Sequence, residues 1–302
     1  MNIRKFTLSG VLCMAIAASQ GQQLHFTSQY LQHNAMYNPA AAGITDVSSI
    51  GLSFRSQWSA FSGNPRTFIA YGDANLKKLK AGIAGYVYRD VTGPTNRTGL
   101  QLAYSKHIIS RDERHKLGLG IELRGLQFGI DKSKLTDALG SDPVLLGAST
   151  KIALDAGAGI YYTNGKLSTG IAVSQLIGSK LKLADVPGAT DRARLYRHYN
   201  FTANYVWQTG DNIALIPNFM LRLIEHAPAE LDFGCRLNYQ DKLWWGLNWR
   251  MRQFWSVQAG FRILQKINIG YAYDYYQTPI SLFNGGSHAH ELSLRFDMKG
   301  KD

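Results

Sequence analysis

Cysteine is almost missing from this chain: Cys13 and Cys235 are its two thiols. Once Cys13 leaves with the N-terminal segment described below, one thiol remains, so no intramolecular disulfide framework can staple the fold. Also missing is any run of the ~20 apolar residues that a membrane-spanning helix needs. Catalytic signatures are missing as well, with no Gly-x-Ser-x-Gly elbow, His-Glu-x-x-His helix or phosphate-binding loop. The pairs Gly118 with Gly120 and Gly157 with Gly159 lack the third glycine of a dinucleotide loop, and read instead as places where another group approaches the backbone closely. His288, His290 and Glu291 lie near one another, but in a strand the two histidines share a face that Glu291 opposes, so no metal site is expected. His107, His115, His198 and His226 fall on different strands and ends, which argues against a shared catalytic site. Acidic residues are few beside basic ones, giving a net charge of +12, or +10 without Arg4 and Lys5. The excess shows no basic helix or RNP-like stretch that would suit nucleic acid. It gathers in turns (Lys77, Lys78, Lys80, Arg111, Arg114, Lys116) and in longer loops (Lys132, Lys134, Lys180, Lys182, Arg192, Arg194), as solvated charge or as contacts to anionic lipid headgroups.

What is present begins with residues 1–21, where Arg4 and Lys5 precede an apolar run from Phe6 to Ala18 that ends in small residues. This is the pattern of a cleaved secretory signal peptide, cut after Ser19 or Gly21. A lipoprotein signal on Cys13 is disfavoured because Leu12 is bulky where a small residue is wanted. Beyond it the chain alternates. Trp255, Val257, Ala259, Phe261 and Ile263 interleave with Ser256, Gln258, Gly260 and Arg262, and Ile267, Ile269, Tyr271, Tyr273 and Tyr275 do the same with Asn268, Gly270, Ala272 and Asp274. Strand side chains switch faces at each residue, so each such strand has one apolar and one polar face.

About fourteen strands of this kind are expected, each near the ~10 residues of a tilted membrane-spanning strand. They cover 48–57, 66–76, 79–90, 97–108, 115–127, 150–163, 166–176, 194–208, 211–222, 230–240, 242–250, 252–264, 266–276 and 288–298. The predicted fold is therefore all-β, a transmembrane antiparallel β-barrel over 48–298, with residues 299–302 as a tail. Short turns such as Thr163-Asn164-Gly165 and Gln240-Asp241 alternate with mostly longer loops, including 58–65, 91–96, 128–149, 177–193 and 277–287. In outer-membrane barrels short turns are periplasmic, so both barrel termini are expected there. Trp207, Tyr239, Trp244 and Trp245 beside short turns, and Trp249, Trp255, Tyr273 and Tyr275 toward the other end, suggest two interfacial girdles.

Charges on the polar faces would be costly in a soluble core but are tolerated in a wet or cross-paired lumen. The predicted lumen-facing set is Arg55, Glu122, Arg124, Asp155, Arg222, Asp232, Arg236, Arg262, Asp274, Glu291 and Arg295. Residues 22–47 lack strand alternation and are expected either to plug the lumen or to sit below it in the periplasm.

Four stretches then resemble a known family. They are Gln29-Tyr30 through Asn38-Pro39-Ala40-Ala41-Ala42-Gly43; Arg55-Ser56-Gln57-Trp58 with Phe61, Gly63 and Pro65; Asp90-Val91-Thr92-Gly93-Pro94 with Gly129-Ile130-Asp131 and Leu135; and Gly270-Tyr271-Ala272-Tyr273-Asp274 with Ser281-Leu282 and His288 to Glu291. In motif and order they are similar to the PorP/SprF outer-membrane proteins of the type IX secretion system of Bacteroidota. The resemblance implies a non-catalytic outer-membrane component of the secretion and gliding machinery, without cofactor. Its implied partners are a peptidoglycan-associated periplasmic protein, other secretion components and the C-terminal domains of exported adhesins, in contact with outer-membrane lipid or lipopolysaccharide. The motif residues Tyr30, Asn38, Pro39, Gly43, Trp58, Asp90, Gly93, Pro94 and Asp274 are the candidate partner contacts, with residues 22–47 expected to support capture of the periplasmic protein. The alternative function is a channel or plugged transporter for small solutes.

Overall fold

The computed structural model describes residues 26–131, 150–180, 194–277 and 288–299. The expected signal peptide, residues 22–25, the loop stretches 132–149, 181–193 and 278–287, and the tail from residue 300 lie outside the described residues, as do the motif residues Leu135, Ser281 and Leu282.

The wall is built in chain order. Its first half comprises Val47–Ser56 (β1), Arg66–Leu76 (β2), Ala81–Thr92 (β3), Thr95–Ile109 (β4), Lys116–Ile130 (β5), Thr150–Thr163 (β6) and Leu167–Ser174 (β7). The second half comprises His198–Tyr205 (β8), Trp207–Gly210 (β9), Ile213–Ile224 (β10), Glu230–Tyr239 (β11), Leu243–Arg250 (β12), Phe254–Ile263 (β13), Ile267–Tyr276 (β14) and His288–Lys299 (β15). Strands β8 and β9 both pair with β10 and are two segments of one stave. The seam is antiparallel, with Val47 opposite Lys299 and Ser56 opposite His290, while β10 pairs with β11, so the sheet closes into a barrel of fourteen staves. Closure pairs every stave on both sides, which hydrocarbon requires because an unpaired backbone group there costs several kcal/mol.

The period-two pattern becomes the two faces of this wall. Outward positions are apolar and exposed, including Leu123 at 69% and Ile152 at 75%. Their sequence neighbours Glu122, Arg124 and Ala153 are buried inside. Phe261, Ile269 and Leu294 share one outward row across β13, β14 and β15. Trp244 departs from the expected girdle: it faces inward at 4% exposure, because its place in β12 puts it in phase with Asn248 and Arg250.

The strands run close to their expected bounds, with three instructive differences. Lys77–Leu79 forms a 3-10 turn ending on Lys80 at φ 46°, so β3 starts at Ala81. Strands β3 and β4 extend to Thr92 and Thr95, which makes 91–96 a tight hairpin around Gly93 (φ 55°) and Pro94 rather than a long loop. The stave that follows β7 begins at His198 rather than at residue 194.

Residues 26–46 thread the barrel. Three short turns, Tyr30–Gln32, Asn34–Tyr37 and Pro39–Ala41, carry mostly buried side chains. The path starts at the loop end, where Phe26 stacks on Phe254 with ring centroids 5.9 Å apart, and finishes at the opposite end where β1 begins. Residues 26–46 thus lie inside the barrel wall.

Candidate functional site

The lumen is the only region where chemistry concentrates among the described residues, and its loop-end half is organised around ion pairs. Arg55, on β1, places one terminal nitrogen 2.6 Å from Asp274 Oδ2 and the other 3.1 Å from Glu291 Oε2. The plug completes this group. Ser28 donates from its hydroxyl to Asp274 at 2.8 Å and from its backbone N–H to Glu291 at 2.9 Å, and Thr27 donates its hydroxyl to Glu291. Arg250 holds Asp232 at 2.8 Å. Phe26 lies between the two guanidinium groups, its ring centroid 4.4 Å from Arg55 and 4.1 Å from Arg250, a desolvated cation–π pair. Trp58 packs edge-on against Tyr276, 6.4 Å between centroids, and closes this end with Phe26 and Phe254.

Deeper in, Arg124 pairs with Glu122 at 2.6 Å and reaches the Met36 carbonyl at 3.2 Å, while Gln101 donates to Glu122. Arg222 pairs with Glu230 at 3.2 Å. Asn200 donates to the Tyr37 carbonyl at 3.1 Å, and Tyr30 donates its hydroxyl to Asn218 at 2.5 Å. Asp155 has a different job: its carboxylate accepts the backbone N–H groups of Ile177, Gly178 and Ser179, fixing the chain just after β7.

The Asn-Pro-Ala-Ala-Ala-Gly run is held by backbone proximity. Asn38 accepts the Ala40 N–H at 2.9 Å and donates into the β6–β7 ladder at the Ile160 carbonyl, 3.0 Å away. Ser105 and His107 contact the Ala40 and Ala42 carbonyls, each at 2.9 Å. A Cβ on Gly82 would lie 2.0 Å from the Ala42 oxygen, and one on Gly118 would lie 2.2 Å from the Ala40 oxygen. Gly120 and Gly159 are similarly occupied by Ala40 and Asn38. The sequence flagged close approach at Gly118, Gly120, Gly157 and Gly159; at Gly118, Gly120 and Gly159 the visitor is the plug, and at Gly157 it is the Glu122 side chain.

The predicted lumen-facing charges all occupy the inner face, but the candidate partner contacts divide. Tyr30, Asn38, Pro39, Gly43 and Asp274 are buried inside the barrel. They therefore present no surface to a separate protein, and the expectation of partner contact at these five is corrected to intramolecular docking of the plug. Trp58, Asp90, Gly93 and Pro94 sit at the loop end and are half-buried: Asp90 accepts from Thr67 at 2.8 Å, and the Gly93 N–H donates to the Gly63 carbonyl at 2.8 Å. His288 and His290 face outward among tyrosine rings, His290 Nδ1 lying 2.7 Å from the Tyr271 hydroxyl, while Glu291 points in. The plug's bonding to the wall was invisible in the sequence, because residues 26–46 have no period to read.

A closed apolar-coated wall with a polar interior filled by the chain's own N-terminal segment defines an outer-membrane β-barrel protein. The model of the type IX secretion system membrane proteins PorP/SprF matches residues 19–296, and the chain belongs to that family. No curated protein is significantly similar to it. Among solved structures, the fold is similar to the CymD monoaromatic hydrocarbon channel, at 11% identity and a TM-score of 0.53, over 94% of this chain and 95% of that one. It is also similar to the P. putida toluene transporter TodX, at 7% identity and 0.51, over 88% and 93%. At these identities the likeness is one of fold.

Proposed function

We propose that this family member is a non-catalytic docking barrel of the type IX machinery, with its short turns and barrel termini in the periplasm and its long loops at the cell surface. The observation that supports this reading is the plug. Segment 26–46 occupies the lumen and is bonded to the wall at both ends, so the faces left for partners are the two rims. At the turn end, Lys78, Lys80, Arg111 and Arg114 form an exposed basic rim suited to a peptidoglycan-associated periplasmic protein. At the loop end, Trp58, Asp90, Gly93 and Pro94 border the surface where an exported adhesin's C-terminal domain would rest.

Co-purification from detergent extracts followed by mass spectrometry tests the reading. Replacing Lys78, Lys80, Arg111 and Arg114 by glutamate should abolish capture of the periplasmic protein, and retention of the partner by this variant would refute docking there. The competing reading is a small-solute channel, to which the fold likeness to hydrocarbon channels lends support. A steady open-pore current from the wild-type protein in planar bilayers would favour it over a plugged docking barrel.

A further inference from the structure

The turn-end half of the lumen carries charge that the plug does not neutralise. Arg236, Arg262 and Arg295 line one cavity of about 160 Å³ together with Asn238, Asn268 and the plug's Gln32. Through Arg295 and Gln32 it adjoins a second chamber of about 260 Å³ that reaches Thr45 and Val47 at the turn end. Arg295 donates its Nε to Asp297 at 2.6 Å. Arg262 approaches the same carboxylate no nearer than 3.8 Å and gives its Nε to Asn268 at 2.7 Å. Arg236 gives its Nε to Asn238 at 2.8 Å and lies 4.2 Å over the Trp244 ring. Asp73, on the wall of the larger chamber, accepts the Gly43 N–H.

Arg262 and Arg295 thus share one carboxylate while none pairs with Arg236 among the described residues, and the terminal nitrogens of Arg236 and Arg295 have no hydrogen-bond partner among the described residues. Water reaches the cluster at Arg262 and Arg295, whose side chains keep 31% and 23% exposure although they face inward. Like charges gathered on low-dielectric walls repel one another and concentrate counter-ions. The planar guanidinium fork matches the oxygens of a carboxylate or phosphate and binds them through charge-assisted hydrogen bonds. Arg236 is pre-oriented by the Trp244 ring and Asn238, which lowers the entropy lost on binding.

We propose that this chamber binds an anionic group, a carboxylate or a phosphate, between Arg236, Arg262 and Arg295, entering from the turn end of the barrel. The site stands whether or not the docking reading holds. The group can be carried by a small free anion or by the C-terminal carboxylate of a protein segment, and the test separates the two. Titration calorimetry on the folded full chain in detergent would use inorganic phosphate, and a short acidic peptide with its C-terminus either free or amidated. Saturable binding of phosphate alone identifies a free-anion site. Binding of the free-carboxylate peptide that phosphate competes away, and that amidation abolishes, identifies a chain end.

In either case Arg236→Gln should weaken binding by about ten-fold or more, with Arg236→Lys partly restoring it. Arg295 also holds Asp297, so Arg236, whose terminal nitrogens hold nothing else, carries the test if Arg295→Gln fails to fold. The proposal is overturned if no probe binds saturably, if the folded Arg236→Gln protein binds as the wild type does, or if chloride at equal ionic strength displaces the probes as well as phosphate does.

Discussion

In the loop-end half of the lumen Arg55 sits between Asp274 and Glu291, Arg250 holds Asp232, and both rest on Phe26. In the turn-end half Arg236, Arg262 and Arg295 line one cavity, where Arg262 and Arg295 share Asp297 and are still reached by water. The same residue type is placed on the same inner face of the same wall, yet in one half it is dry and matched and in the other wet and in excess. The difference follows from what fills the space. Where the plug's Phe26, Thr27 and Ser28 displace water, every guanidinium needs a carboxylate, because an unpaired buried charge is expensive. Where the plug leaves a chamber, solvent relieves that demand and charge can be kept for something else.

The contrast can be broken at its strongest point first. Arg55→Ala leaves Asp274 and Glu291 buried without their cation, and should destabilise the folded barrel by about 3–5 kcal/mol in urea titrations followed by heat-modifiable gel migration. A loss below ~1 kcal/mol would mean that the loop-end group is wetter than described. Next comes the plug's seat. Gly118→Val or Gly82→Val drives a side chain into the Ala40 or Ala42 carbonyl, so the segment should lift from the wall and ion conductance should appear in planar bilayers. Gly246→Ala, also on the inner wall but with its nearest neighbour 3.5 Å away on a flexible glutamine, should leave conductance at the wild-type level. Phe26→Ala removes the ring shared by Arg55 and Arg250 and should cost about 1–4 kcal/mol in the same titration, combining cation–π and burial losses. Arg236→Gln is the smallest: with no carboxylate left behind, stability should change by less than ~0.5 kcal/mol, or rise slightly at low salt as repulsion from Arg262 and Arg295 is relieved.

Period-two alternation made the wall legible, since a strand half exposed to lipid and half turned inward writes its two environments into adjacent residues. The inward charges could be picked out for the same reason: Arg55, Glu291 and Arg262 interrupt runs that are otherwise small or apolar. Their pairings were less accessible. Glu122 and Arg124 are two apart on one strand, and their ion pair follows from local geometry. Arg55 and Glu291 meet only because β1 and β15 close the seam, a juxtaposition that no local pattern announces. Trp244 was misplaced because an aromatic beside a short turn suits a lipid interface and an inner-wall platform equally well, and only the phase of β12 decides between them. The motif Asn38 to Gly43 looked like a surface for recognition, yet it is a joint: its small residues let one backbone lie against another.

The plug's direction of travel constrains how the molecule is made. Residue 26 lies at one mouth and Val47 at the other, so the leader spans the bore lengthwise before the first stave begins. A peptide seated on glycines of β3, β5, β6 and β7 cannot easily be drawn through a closed cylinder whose wall it contacts along its length. It must be laid in place while the sheet is still an open trough, with the β1–β15 zip fastening last. Supplying residues 22–46 as a separate peptide to a pre-folded, truncated barrel should accordingly fail to restore the shut state, whereas adding it during refolding should succeed.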